Sequence, residues 1–151
     1  MTSKYWISPV LISFVLFFPL SAQAFLGHRL SLGAGITQTF NPNETNFSVG
    51  AEYEYSIDPF LGIGASASYI FTTPGVTVLG APEIFFHPLG GDWIVDASPI
   101  MILASGMDTK IGAHVGTRLP IPLGLVTLVP IIGADFFSGG HYLSFGVGIL
   151  F

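Results

Sequence analysis

The chain has 151 residues, of which 50% are hydrophobic and only 9% charged, with four Lys and Arg against nine Asp and Glu. An ordinary soluble domain carries about 25% charged residues, so this composition cannot cover a conventional solvated surface. No basic stripe is present for nucleic acid, and the lack of cysteine excludes disulfide scaffolds, thiol nucleophiles and cysteine-ligated metals.

The first segment reads as an address. Lys4 precedes an apolar run from Tyr5 to Leu20, and Ala22-Gln23-Ala24 follows as an A-x-A cleavage box. Residues 1–24 are expected to be a cleaved signal peptide, and residues 25–151 a single mature domain. The run holds Pro9 and Pro19 and is short for a membrane span. Further on, the most apolar stretch, Leu119 to Ala134, is broken by Pro120, Pro122 and Pro130. An exported, apolar chain with no spanning helix has one other way to satisfy its backbone in lipid, which is a closed β-barrel.

The predicted elements fit that solution. Leu30, Leu32, Ala34 and Ile36 alternate with Ser31, Gly33, Gly35 and Thr37. Phe47, Val49, Ala51, Tyr53 and Tyr55 alternate with Ser48, Gly50, Glu52, Glu54 and Ser56. Leu61 to Phe71 repeats the pattern, with Gly62, Gly64, Ser66 and Ser68 on the thin face. From Lys110 to Leu119, Ile111, Ala113 and Val115 alternate with Gly112, His114 and Gly116. Tyr142 to Phe151 closes the series, with Leu143, Phe145, Val147, Ile149 and Phe151 on the greasy face. A period of two is a strand with two unlike faces. Three further segments, near Val76–His87, Trp93–Leu103 and Leu125–Phe136, are apolar on both faces and have less secure parity.

Turn signals separate eight strands: Asn41 to Glu44, Asp58-Pro59, Thr73 to Gly75, Pro88 to Asp92, Ala104 to Asp108, Pro120 to Gly124, and Ser138 to Gly140. The expected fold is all-β, an eight-stranded antiparallel transmembrane up-and-down barrel with both termini on the periplasmic side. Aromatic residues fall near both strand ends, as the two interfacial girdles require. Tyr53, Tyr55, Phe60, Phe86, Trp93 and Phe151 lie at one level, and Phe40, Phe47, Tyr69, Phe71, Phe136 and Tyr142 at the other.

Charge on the lipid face is costly, so Glu83, Asp96 and Asp135 are expected inward. In the strands with clear alternation, Arg29, Glu52, Glu54, Lys110 and Arg118 already share the thin face. The interior of an eight-stranded barrel is just wide enough for side chains. These residues, with His114 and with His87 as a possible addition, are expected to fill the lumen as an ion-pair network. Pro82, Pro99 and Pro130 sit inside strands, where a missing donor thins the wall. A bulge absorbs such a residue, whereas a lateral opening that admits a lipid chain is the sharper alternative. His28, His87, His114 and His141 show no metal-ligand spacing, so neither metal nor cofactor is expected. His141 and Ser144 lie on opposite faces of one strand, and His114 has no matched nucleophile in the sequence, which leaves no assignable catalytic set.

The tail resembles the C-terminal signal of bacterial outer-membrane barrels, carried by Phe145, Val147, Ile149 and the terminal Phe151. With its eight strands, the mature chain resembles the small outer-membrane barrels of the OmpA-domain or OmpX type, in architecture and not through a motif of one member. Its short outer loops depart from the longer loops typical of that family. The resemblance implies the outer membrane of a Gram-negative bacterium, with lipid and lipopolysaccharide as surroundings. It also implies the barrel-assembly machinery as a partner during biogenesis. Two functions are expected from it: a structural, envelope-stabilising barrel with a filled lumen, or a lipid-handling barrel, either a lipid A-modifying enzyme or a narrow conduit for a hydrophobic molecule.

Overall fold

The computed structural model describes residues 27–40, 43–88 and 93–151. The predicted signal peptide lies outside the described residues. Nine strands follow in order: β1 (His28–Phe40), β2 (Asn43–Ser56), β3 (Leu61–Ile70), β4 (Val76–Phe86), β5 (Ile94–Ala104), β6 (Lys110–Arg118), β7 (Ile121–Leu123), β8 (Val126–Phe137) and β9 (Gly140–Leu150). Each of β1 to β5 pairs antiparallel with the next, β6 pairs with β8, β8 with β9, and β9 returns to β1. The short β7 continues the line of β6 past Leu119-Pro120 and pairs with the lower end of β8. The wall is therefore a closed barrel of eight staves.

The predicted turn from Pro120 to Gly124 is shorter than expected. Ile121–Leu123 is paired, and the chain reverses at Gly124, whose φ is 74°. Pro120 interrupts the ladder but does not end the stave. At the same end, Asp58 accepts from the amides of Phe60 (2.7 Å) and Leu61 (2.9 Å), an Asx turn that explains why Asp58-Pro59 ends β2.

The two faces are sharply unlike. Phe47, Val49, Tyr53, Ile63, Tyr69, Val115, Phe145, Val147 and Ile149 are all exposed on the outer surface. The expected girdle residues point outward with two exceptions. Tyr142 turns inward and packs on Phe137, with ring centroids 4.7 Å apart, and Phe151 is only half-exposed. Tyr142 shares the parity of Ser144 and Gly146, and strand periodicity overrides the girdle assignment.

The lumen is layered. Call the end holding His28 and Leu150 the base and the opposite end the rim. Near the rim, Ile70, Val76, Val78, Ile100 and Ile102 form a buried apolar cluster that Ala104, Phe137 and Tyr142 pack against. The opposite wall is lined by small residues: Gly33 faces Gly148, Gly35 faces Gly146, and Thr37 faces Ser144. A Cβ on Gly35 would stand 2.6 Å from the Gly146 Cα. Gly35→Val is therefore expected to destabilise the closing β1–β9 seam by about 1–3 kcal/mol through overpacking. Urea unfolding in detergent checks this, and an unchanged midpoint would mean that the seam relaxes freely.

Among the described strands, β4 carries the one change of parity. Val76, Val78 and Gly80 face inward, and so do Glu83 and Phe85, whereas Ala81 and Pro82 are exposed. Gly64 pairs with Glu83 but Ser66 pairs with Gly80, so Ala81-Pro82 is an extra residue set against Ala65. This is a β-bulge, and it resets the pleat.

Candidate lumen site

Beneath the apolar cluster, charged side chains from different staves meet. At the base, Glu54 accepts from His87 Nε2 at 2.7 Å and from Ser56 Oγ at 3.1 Å, and Arg29 Nη1 lies 3.6 Å from its other oxygen. His87 belongs to the network outright, with 1% of its surface exposed. One level higher, Arg118 pairs with Glu52 and places Nη2 2.7 Å from Asp96 Oδ2. Its guanidinium lies 5.4 Å from the Phe85 ring centroid. His114 sits between two carboxylates, with Nδ1 2.5 Å from Asp135 Oδ1 and Nε2 3.0 Å from Asp96 Oδ1. Glu83 completes the layer, with no exposed surface. Ser66 lies close enough to interact with it, yet neither carboxylate oxygen makes a hydrogen bond.

Of the charged residues expected in the network, Arg29, Glu52, Glu54, Glu83, Asp96, His114, Arg118 and Asp135 are placed together in these two layers. Lys110 is not. It faces inward at the rim, opposite Ile102, and its Nζ stands 5.3 Å from the Phe137 ring centroid. Four residues of strand, roughly 13 Å, separate it from His114, and the apolar cluster occupies its level.

The prolines divide three ways. Pro82 occupies the bulge, with the β4–β5 register broken between Gly80 and Ile84. Pro99 faces that break but keeps its pairing with Ala113. Pro130 is the fifth of the twelve residues of β8 and pairs with Val147, and its carbonyl accepts from the Leu119 amide at 3.4 Å, beside the gap between β6 and β7. The β4–β5 ladder is interrupted at the bulge, where Ala81, Pro82 and Glu83 stand against Ser98 and Pro99, and Glu83 beside the break is fully buried.

Among the described residues, His114 makes no hydrogen bond to a serine hydroxyl. Both imidazole nitrogens are engaged by carboxylates, leaving no free nitrogen to accept a hydroxyl proton. His141 is exposed and stacks on Phe40, whereas Ser144 points inward to Thr37. Above the charged layers lies a cavity of about 140 Å³, bounded by Ser66, Val78, Glu83, Ile100 and His114 among others.

One grouping escaped the sequence. Glu83, Asp96 and His114 each offer a ligand atom within 4.8 Å of the other two. A search for spacing among histidines alone passes over it, because the three residues come from β4, β5 and β6. The available signal was diagonal pairing across the β5–β6 hairpin, where Asp96 faces Gly116 and His114 faces Ser98.

No protein-family model matches the chain, and no curated protein matches it either. Solved structures do. The chain is similar to Neisserial surface protein A, at 12% identity and a TM-score of 0.61, over 85% of this chain and 98% of that one. It is similar to the N-terminal β-barrel domain of OprF from Pseudomonas aeruginosa, at 12% identity and a TM-score of 0.58, over 82% and 97%. A de novo designed transmembrane β-barrel matches at 11% identity and a TM-score of 0.55, over 85% and 99%. A designed chain shares the architecture as well as natural ones, so the fold by itself carries no function. These likenesses and the closed eight-stave wall establish the architecture of the small eight-stranded outer-membrane β-barrels.

Proposed function

We propose that this protein is an integral outer-membrane barrel of a Gram-negative bacterium with a structural, envelope-stabilising role, whose lumen is closed by its own side chains. The observation that carries this reading is the ion pair between Arg118 of β6 and Glu52 of β2. In the ring of eight staves, β2 and β6 stand four apart, on opposite sides of the lumen. A pair that joins them crosses the full width, and Asp96, His114 and Asp135 fill the same level from β5, β6 and β8. The exposed apolar outer surface, with aromatic residues toward both strand ends, suits lipid. The order 1–24 signal peptide, then 25–151 barrel, belongs to the same proposal, as do lipopolysaccharide as surroundings and assembly by the barrel machinery.

The purified protein in planar bilayers is expected to show no large, steady conductance. Loss of the gene is expected to sensitise cells to detergents and chelators while leaving the lipid A mass spectrum unchanged. A stable open channel would overturn the closed lumen, and a shifted lipid A mass would favour a lipid-modifying enzyme. Phe145, Val147 and Ile149 line the outer face of β9, and the Phe151 amide donates to the Leu30 carbonyl at 2.8 Å. Changing Phe151 to Asp is expected to cut outer-membrane yield several-fold, scored by the heat-dependent gel shift of folded barrels. Wild-type yield would mean that the residue is not read during assembly.

A further inference from the structure

We propose that Glu83, Asp96 and His114 form a binding site for one divalent transition-metal ion, with zinc the best fit, inside the lumen.

Charge balance is the first argument. Glu52, Glu83, Asp96 and Asp135 share one layer with a single guanidinium and a single imidazole. Even with the imidazole protonated, full ionisation would leave two negative charges uncompensated in a buried space, so the layer must take up either protons or a cation. Arg118 serves Glu52 and Asp96, and His114 serves Asp96 and Asp135, so the deficit falls on Glu83. Its carboxylate is fully buried, has no hydrogen bond, and lies with the ligand atoms of the other two.

Geometry is the second. Zinc bonds of about 2.0–2.2 Å in a tetrahedral site put neighbouring ligand atoms roughly 3.3 Å apart. Asp96 Oδ1 and His114 Nε2 already stand 3.0 Å apart. Glu83 offers a carboxylate oxygen within 4.8 Å of both and has to close the remaining distance to that edge. Asp135 holds His114 Nδ1 at 2.5 Å. This is the carboxylate–histidine arrangement that makes an imidazole a better ligand, and the metal would take the place of the proton that Nε2 now shares with Asp96 Oδ1. The backbone leaves room as well: a Cβ on Gly116 would stand 2.6 Å from Asp96 Oδ1 and 2.8 Å from His114 Nε2. Two carboxylates and one imidazole suit zinc or a neighbouring transition metal better than calcium or magnesium, which prefer all-oxygen sites. Glu83 and His114 also border the lumen cavity, which offers space for a water as a further ligand.

The site does not depend on the structural role proposed above. A closed barrel without metal leaves that role standing, and a conducting barrel that binds zinc leaves this site standing. The test uses the whole protein recovered from membranes, stripped with chelator in detergent and dialysed against zinc. One zinc ion per chain is expected, with a rise in the thermal midpoint and little uptake of calcium. Glu83→Gln and His114→Gln are each expected to weaken zinc binding by at least about tenfold, and Asp135→Asn by about 10–100-fold. His28→Gln, at the exposed base, is expected to bind as the wild type does. Cobalt should give visible d–d absorption that is lost in His114→Gln. The gel shift of folded barrels verifies each variant; if His114→Gln fails to fold, Glu83→Gln decides, since it removes a buried charge at constant shape. No zinc uptake by the folded wild type, or wild-type affinity in Glu83→Gln, would overturn the site.

Discussion

Arg118→Met is expected to destabilise the barrel by about 3–5 kcal/mol, the range for removing one partner of a buried ion pair. Arg118 is 5% exposed and serves two carboxylates, Glu52 across the lumen and Asp96 on the neighbouring stave. Methionine keeps much of the length and the contact with Phe85 but supplies no charge. The cost is thus the stranding of Glu52 and Asp96, and not an empty space. Urea unfolding in detergent or vesicles, followed by tryptophan fluorescence, measures it. Adding Glu52→Gln to Arg118→Met is expected to recover a substantial part of the loss, because one stranded charge is removed. A loss below about 1 kcal/mol would place the pair in the range of solvated surface bridges and would mean that the lumen is wet at this level. Failure of the rescue would show that the side chain acts by packing.

Deleting Ile84 is expected to abolish folding, although the deletion only shortens a strand by one residue and removes an outward side chain. The bulge at Ala81-Pro82 lets Val78 and Gly80 face inward above it while Glu83, Phe85 and His87 face inward below it. Removing one residue below the bulge shifts the pleat there, and a one-residue slip sends every side chain beyond it to the other face. Phe85 and His87 would then face outward and the Glu54–His87 hydrogen bond would be lost, whereas dissolving the bulge to compensate would turn Glu83 outward. Pro82→Ala keeps the residue count and is expected to fold normally. The pair of variants separates the count from the chemistry of proline. The measurement is the heat-dependent gel shift together with protease resistance in vesicles. A folded deletion variant would mean that β4 can place its bulge elsewhere.

Alternation of large and small residues in β1, β2, β3, β6 and β9 was enough to read a two-faced wall. A period of two is local, and in a barrel one face of each stave meets the lumen and the other the outside. The inward placement of Arg29, Glu52, Glu54, His114 and Arg118 followed from the same parity. It did not extend to their partners. Lys110 shares that parity yet stands with Phe137 at the rim, because height along the stave, and not face alone, selects neighbours. Tyr142 was assigned to a girdle by its type and turned inward by its parity. The bulge in β4 was not legible as a change of face, since Val76 to His87 is apolar on both parities. Only the register against β3 and β5 shows where the extra residue sits. The grouping of Glu83, Asp96 and His114 lay furthest from the sequence. Each residue is set on its stave by local alternation, but their meeting depends on barrel closure, the stagger between staves and the bulge that turns Glu83 inward. Those are properties of pairing between distant segments, and no periodicity within one strand encodes them.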